Sequence, residues 1–208
     1  MARERMEWTH YESWEGDRKV LAVGDSIVWG AHKYMESQLG ELALTTVVSA
    51  HGVNEEQFQR SVAMLATLND EEYEVVYFNN GLHTRGQTPS EYAANYEKTL
   101  RELMRLIPAK KWILGLSTPI SNKQTDKWDN TTPISNQEYR TLEEANALVI
   151  EFNEKVKEIA EKLGLPYYDA YSLMADKNDL KIDPYHYNAD GRRIFAEAVC
   201  KRILEETE

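Results

Sequence analysis

The chain has 208 residues, with 24 Lys and Arg against 35 Asp and Glu, a formal net charge of −11. That length suits one domain around a single core, and a hydrophobic content of 42% is enough to fill it. The acidic balance excludes nucleic acid and anionic membrane surfaces as expected partners, because both are met by basic patches.

In chain order, residues 1–18 form a charged leader without the apolar h-region of a secretory signal, and the domain is expected over 19–208. Five short apolar runs then recur: 19–24 (KVLAVG), 44–49 (LTTVVS), 74–78 (EVVYF), 111–116 (KWILGL) and 165–169 (LPYYD). They are continuous and rich in β-branched or aromatic residues, the mark of buried parallel strands. Helical patterns lie between them. Residues 54–69 space Phe58, Val62, Leu65 and Leu68 by threes and fours, and 90–107 does the same with Tyr92, Tyr96, Leu100, Leu103 and Ile107. Residues 141–163 carry Leu142, Ala145, Leu148, Phe152, Val156, Ile159 and Leu163, and 189–204 carries Ile194, Ala198 and Ile203. Strand and helix in alternation predict an α/β fold, a three-layer α/β/α sandwich on a parallel sheet of about five strands. No run reaches the roughly 18–20 apolar residues of a membrane span. The single cysteine, Cys200, excludes an internal disulfide and a cysteine-cluster metal site.

In such sheets chemistry collects at the carboxyl ends of the strands. That rim carries Gly24-Asp25-Ser26, His51-Gly52-Val53-Asn54, Asn79 to His83, Ser117-Thr118-Pro119, and the loop Asp183-Pro184-Tyr185-His186 before the last helix. Ser26 follows the first strand on the turn into a helix, where it reads either as a helix cap or as a nucleophile whose developing charge faces helix N–H groups. A nucleophile needs a base, and the base an orienting acid. Among the five histidines, His10 falls in the leader and His32 inside the first helix, but His186 stands three residues after Asp183. An Asp-x-x-His turn lets a carboxylate meet Nδ1–H while Nε2 points toward a nucleophile; the alternative is an ordinary Asp cap with a surface histidine nearby.

Gly24-Asp25-Ser26, Gly52, the Asn79–His83 segment and Asp183-x-x-His186 together resemble the four ordered blocks of the SGNH hydrolases, or GDSL esterases and lipases. The likeness runs from about residue 19 to the C-terminus. It implies a flavodoxin-like sheet, no metal or cofactor, and acyl transfer from an ester to water through an acyl-enzyme. By similarity Ser26 is the nucleophile, His186 the general base and then acid, and Asp183 the orienting group. The family's oxyanion donors are the nucleophile's N–H, a glycine N–H and an asparagine side chain. Ser26 and Gly52 match the first two. The usual Gly-x-Asn-Asp block is replaced by Gly81-Leu82-His83-Thr84, so His83 is expected as the third donor, supported by Asn80. A shifted register would instead bring Asn79 or Asn80 into play, and the remaining alternative is that both asparagines tie down loop backbone while His83 only lines the pocket.

Trp29, Tyr185 and Trp128, the last within the polar loop 121–138, are candidate pocket-lining residues, although each is equally a packed aromatic. No lid-like apolar helix is visible. The expectation is therefore a small neutral ester, acetyl or another short acyl group, on a carbohydrate or a small alcohol. Acyl transfer to an acceptor other than water, or a non-catalytic carbohydrate-binding module on the same fold, stands as the alternative.

Overall fold

All five apolar runs become strands in the computed structural model, which describes residues 8–12, 18–49, 52–61, 72–80, 82–84, 86–123 and 141–207. They are β2 (Arg18–Gly24), β3 (Leu42–Ser49), β4 (Tyr73–Phe78), β5 (Ala109–Gly115) and β6 (Tyr167–Tyr168), paired in parallel in the order β3-β2-β4-β5-β6. β1 (Trp8–Glu12) lies inside the stretch read as a leader and pairs antiparallel with β3, Trp8 opposite Ser49 and Glu12 opposite Thr45. It escaped the sequence reading because an edge strand has one ladder partner and needs no continuous apolar run. An antiparallel edge on a parallel sheet is a common arrangement.

Helices cover both faces. α1 (Ser26–Gln38) and α5 (Ala189–Glu205) pack with the short α4 (Ala170–Met174) over Val20, Ala22, Val75, Tyr77 and Ile113. α2 (Pro89–Leu106) and α3 (Leu142–Leu163) cover Leu21, Val23, Val76, Phe78 and Leu114 on the other side. The alternation of neighbouring strand residues between these two lists is the period-two pleat. Of the helix expected over 54–69, residues 56–61 are helical and Phe58 is fully buried, while 62–69 lie outside the described residues. Tyr92 meets Phe152 edge-on at 4.9 Å and Tyr96 lies 5.1 Å from Phe78, which fastens α2 to both the sheet and α3. Each such buried aromatic contributes roughly 1.5–3 kcal/mol.

The helix ends follow their local signals. Thr88 and Thr141 form capping boxes with Glu91 and Glu144, and Pro89 opens α2. Gly164, at φ 65°, closes α3 in the left-handed region. No described helix is long and apolar enough to cross a membrane.

Candidate active site

β2 and β4 sit side by side, with β2 connecting onward to one neighbour and β4 to the other, so the chain reverses its order at their carboxyl ends. Ser26 stands there, as the first residue of α1. Asp25, 2% exposed, is the cap: its Oδ1 accepts from Ile27 N–H at 2.9 Å. The sequence left Ser26 as cap or nucleophile, and Asp25 takes the capping role, which frees the exposed Ser26 hydroxyl. Gly24 lets the strand end lie close to the helix, since a Cβ there would fall 2.4 Å from Val28 Cγ2.

The Asp183–His186 loop arrives from the other side, between the 3₁₀ turn Asn178–Leu180 and α5. His186 Nε2 lies 2.8 Å from Ser26 Oγ, and His186 Nδ1 lies 2.6 Å from Asp183 Oδ2. With Nδ1–H given to the carboxylate, Nε2 is left to accept the serine hydroxyl. Side-chain exposure falls from 29% at His186 to 12% at Asp183, so the acid is sheltered and the serine reachable. Asp183 Oδ1 accepts from the backbone N–H groups of Tyr185 at 2.8 Å and His186 at 2.7 Å. Burial pushes the Asp183 carboxyl up, but these backbone donors and the His186 side chain outweigh it and hold the group below the usual carboxylate range.

The remaining sequence candidates fall as follows. The N–H of Gly52 donates to Glu55 Oε1 at 2.8 Å while Glu55 N–H returns to Gly52 O at 2.9 Å. The expected oxyanion donor is thus engaged within its own turn, because a glutamate three residues on reaches back to the N–H it follows. Asn79 Nδ2 donates to Gly115 O at 2.8 Å, which commits it to backbone on the α1 and α5 side of the sheet. Asn80 is fully buried, and Tyr92 Oη reaches its carbonyl at 3.4 Å. His83 is half-buried on the same rim.

Trp29 lies one helical turn beyond Ser26, half-buried and stacked on His32 at 4.2 Å and 16°. Tyr185 packs beside Ile120, Ala145 and Val149 and meets His186 edge-on at 6.4 Å. Trp128 lies outside the described residues. A cleft of about 250 Å³, open solvent included, is bounded by Ser26, Ile27, Gly30, His186, Tyr187, Arg192 and Phe195. Sequence reasoning missed Arg192, whose Nε donates to Tyr187 O at 2.8 Å; its place four residues after the Asn188 cap was the available signal. Among the described residues no group of three or more His, Cys, Asp or Glu is placed to hold a metal ion.

No family model and no curated protein matches the chain. Solved structures do. An aryl esterase from M. smegmatis is 16% identical with a TM-score of 0.70, over 90% of this chain and 99% of its own. A carbohydrate acetylesterase from Sinorhizobium meliloti is 17% identical with a TM-score of 0.68, over 91% and 99%. A member of the lipolytic G-D-S-L family from Veillonella parvula is 14% identical with a TM-score of 0.67, over 88% and 97%. Near-complete coverage of both partners in each case leaves one conclusion about architecture: the chain has the α/β/α fold of the SGNH, or GDSL, hydrolases.

Proposed function

We propose that this protein is a serine esterase, independent of metal, that removes an acetyl or other short acyl group from a small neutral ester. An acetylated carbohydrate is the favoured substrate class. The observation that carries the reading is the unbroken hydrogen-bonded line from Ser26 Oγ through both ring nitrogens of His186 to Asp183.

Ser26 Oγ attacks the ester carbonyl carbon as its proton passes to His186 Nε2, and Asp183 stabilises the imidazolium that forms. The tetrahedral intermediate collapses, the C–O bond to the alcohol breaks, and His186 returns the proton to the leaving alkoxide. Water then attacks the acyl-Ser26 carbonyl, again losing a proton to His186, and the carboxylic acid departs as Ser26 regains its proton. The oxyanion is held by the Ser26 N–H in the first turn of α1, by His83 with Asn80 behind it, and by Gly52 N–H once Glu55 releases it. Such donors are worth about 2.7–4 kcal/mol each.

Three features support a small neutral substrate: the narrow cleft beside Ser26, the net charge of −11, and the S. meliloti neighbour, itself a carbohydrate acetylesterase. Trp29, held flat by His32, offers an aromatic edge near the nucleophile. Tyr185 and Trp128 are the other proposed lining residues.

A fluorophosphonate probe tests the reading directly: folded wild type should be labelled and Ser26→Ala should not. Absence of labelling in the wild type sinks it. On a p-nitrophenyl ester series turnover should fall from acetyl to longer chains, and a steady rise would refute the short-acyl assignment.

A further inference from the structure

Lys181 is the one lysine or arginine among the described residues that is buried, at 1% exposed. Its Nζ donates to the carbonyl oxygens of Pro119 and Tyr185, each at 2.8 Å, and sits 3.8 Å from the centroid of the Tyr187 ring. An ammonium carries three N–H groups, and these three neighbours take one each. A neutral amine would offer two and turn its lone pair onto the electron-rich face of Tyr187. These three contacts suit the charged form. Burial lowers its pKa, the carboxylates of Asp183 and Asp25 oppose the shift, and the group is left at about 7.

What the ammonium holds matters more than its burial. The Tyr185–His186 peptide has its oxygen on Lys181 and its N–H on Asp183 Oδ1. Asp183 Oδ2 in turn takes the His186 Nδ1 proton. Hydrogen bonds in series polarise one another, so a positive charge at the carbonyl end strengthens the donation that holds the carboxylate. Lys181 also ties the loop after β5 to this turn. Beside it Ser121 N–H holds Pro184 O at 2.9 Å and Ser121 Oγ holds Asp183 O at 3.3 Å.

We infer that Lys181 is a positioning residue of the Ser26–His186–Asp183 site, its ammonium fixing the Asp183 carboxylate against His186 through the Tyr185–His186 peptide. The kinetic consequence rests on the esterase reading, whereas the contacts do not.

Lys181→Met keeps the length of the stem and removes the charge and all three donors. It is compared with wild type by p-nitrophenyl acetate hydrolysis, by the rate of fluorophosphonate labelling, and by the downfield proton resonance of His186 Nδ1–H. Folded Lys181→Met should lose about tenfold to a hundredfold in kcat with KM unchanged, label correspondingly slowly, and lose or broaden the downfield resonance. Folded Lys181→Met with wild-type kcat and a wild-type resonance overturns the inference. If Lys181→Met does not fold, the wild type decides. With uniform ¹³C and ¹⁵N labelling, the Lys181 ammonium protons should exchange slowly below neutral pH and couple to the Pro119 and Tyr185 carbonyl carbons. A freely exchanging amine without those couplings overturns the inference. Wild type that is neither labelled nor active would end the esterase reading alone, since the resonance and couplings still report the contact.

Discussion

At the scale of single residues, the proposed third oxyanion donor is where this rim departs from the SGNH blocks it resembles. The Asn79 amide is committed to Gly115 O. That leaves Asn80 and His83 as the proposed third donor. His83→Ala should depress kcat by about a hundredfold, the usual loss for one oxyanion donor, while probe labelling stays detectable because Ser26 and His186 are intact. A kinetically silent His83→Ala together with a crippled Asn80→Ala would transfer the role to Asn80. Sequence pattern could not choose among these residues. Adjacent strand-end side chains project to opposite faces, and only the packed sheet decides which face meets Gly115.

At the scale of elements, α3 supports the rim it never touches chemically. Asn153 holds Ser117 from both sides, Oδ1 on its N–H at 2.8 Å and Nδ2 on its carbonyl at 3.0 Å. Two turns earlier Asn146 does the same to Ile120, at 2.9 and 3.0 Å. The two amides act as substitute strand partners for a loop that has left the sheet. Asn153→Ala would leave a buried N–H and a buried C=O unpaired, each costing about 1–3 kcal/mol, and melting should fall by about 2–4 °C per kcal/mol. Thr141→Ala removes only an exposed cap, at about 1 kcal/mol. Thermal melts of the two variants compare them, and an equal or smaller drop for Asn153→Ala would mean that water takes over the amide's bonds. The same helix shows what an apolar stripe conveys. Its boundaries and buried face are readable from spacing and caps, but its two asparagines look like ordinary polar positions until the loop is laid against them.

At the scale of the whole molecule, acid should be the destabilising direction. Glu74 is held below the usual range by Lys110 and Arg18, and Glu97 by Lys162 and Arg101. The lysines and arginines of these pairs are more than half exposed and each pair contributes little, so Asp183, held by two backbone N–H groups and His186, carries the larger share. A carboxyl with a depressed folded-state pKa binds fewer protons folded than unfolded. Its contribution is complete above the unfolded value of about 4 and is lost as pH falls toward the folded value. Melting temperature should therefore decline below about pH 4, less steeply in Asp183→Asn than in wild type. Parallel declines would remove Asp183 from this account.

Local pattern alone determined β2 to β6 and the main helices, because each of those signals is complete within a few residues, whereas Ser26, Asp183 and His186 stood out only together, through the family blocks they resemble. An apolar run or a helical stripe needs no distant partner to be recognised. Only the tertiary structure decided the pairing of β1 with β3, the capture of Gly52 N–H by Glu55, the asparagine supports of α3, and the contact of Lys181 with Pro119 across 62 positions of chain. A buried lysine two residues before Asp183 looks like surface in one dimension. Its meaning comes from the carbonyls and the ring that folding closes around it, and no local periodicity encodes those.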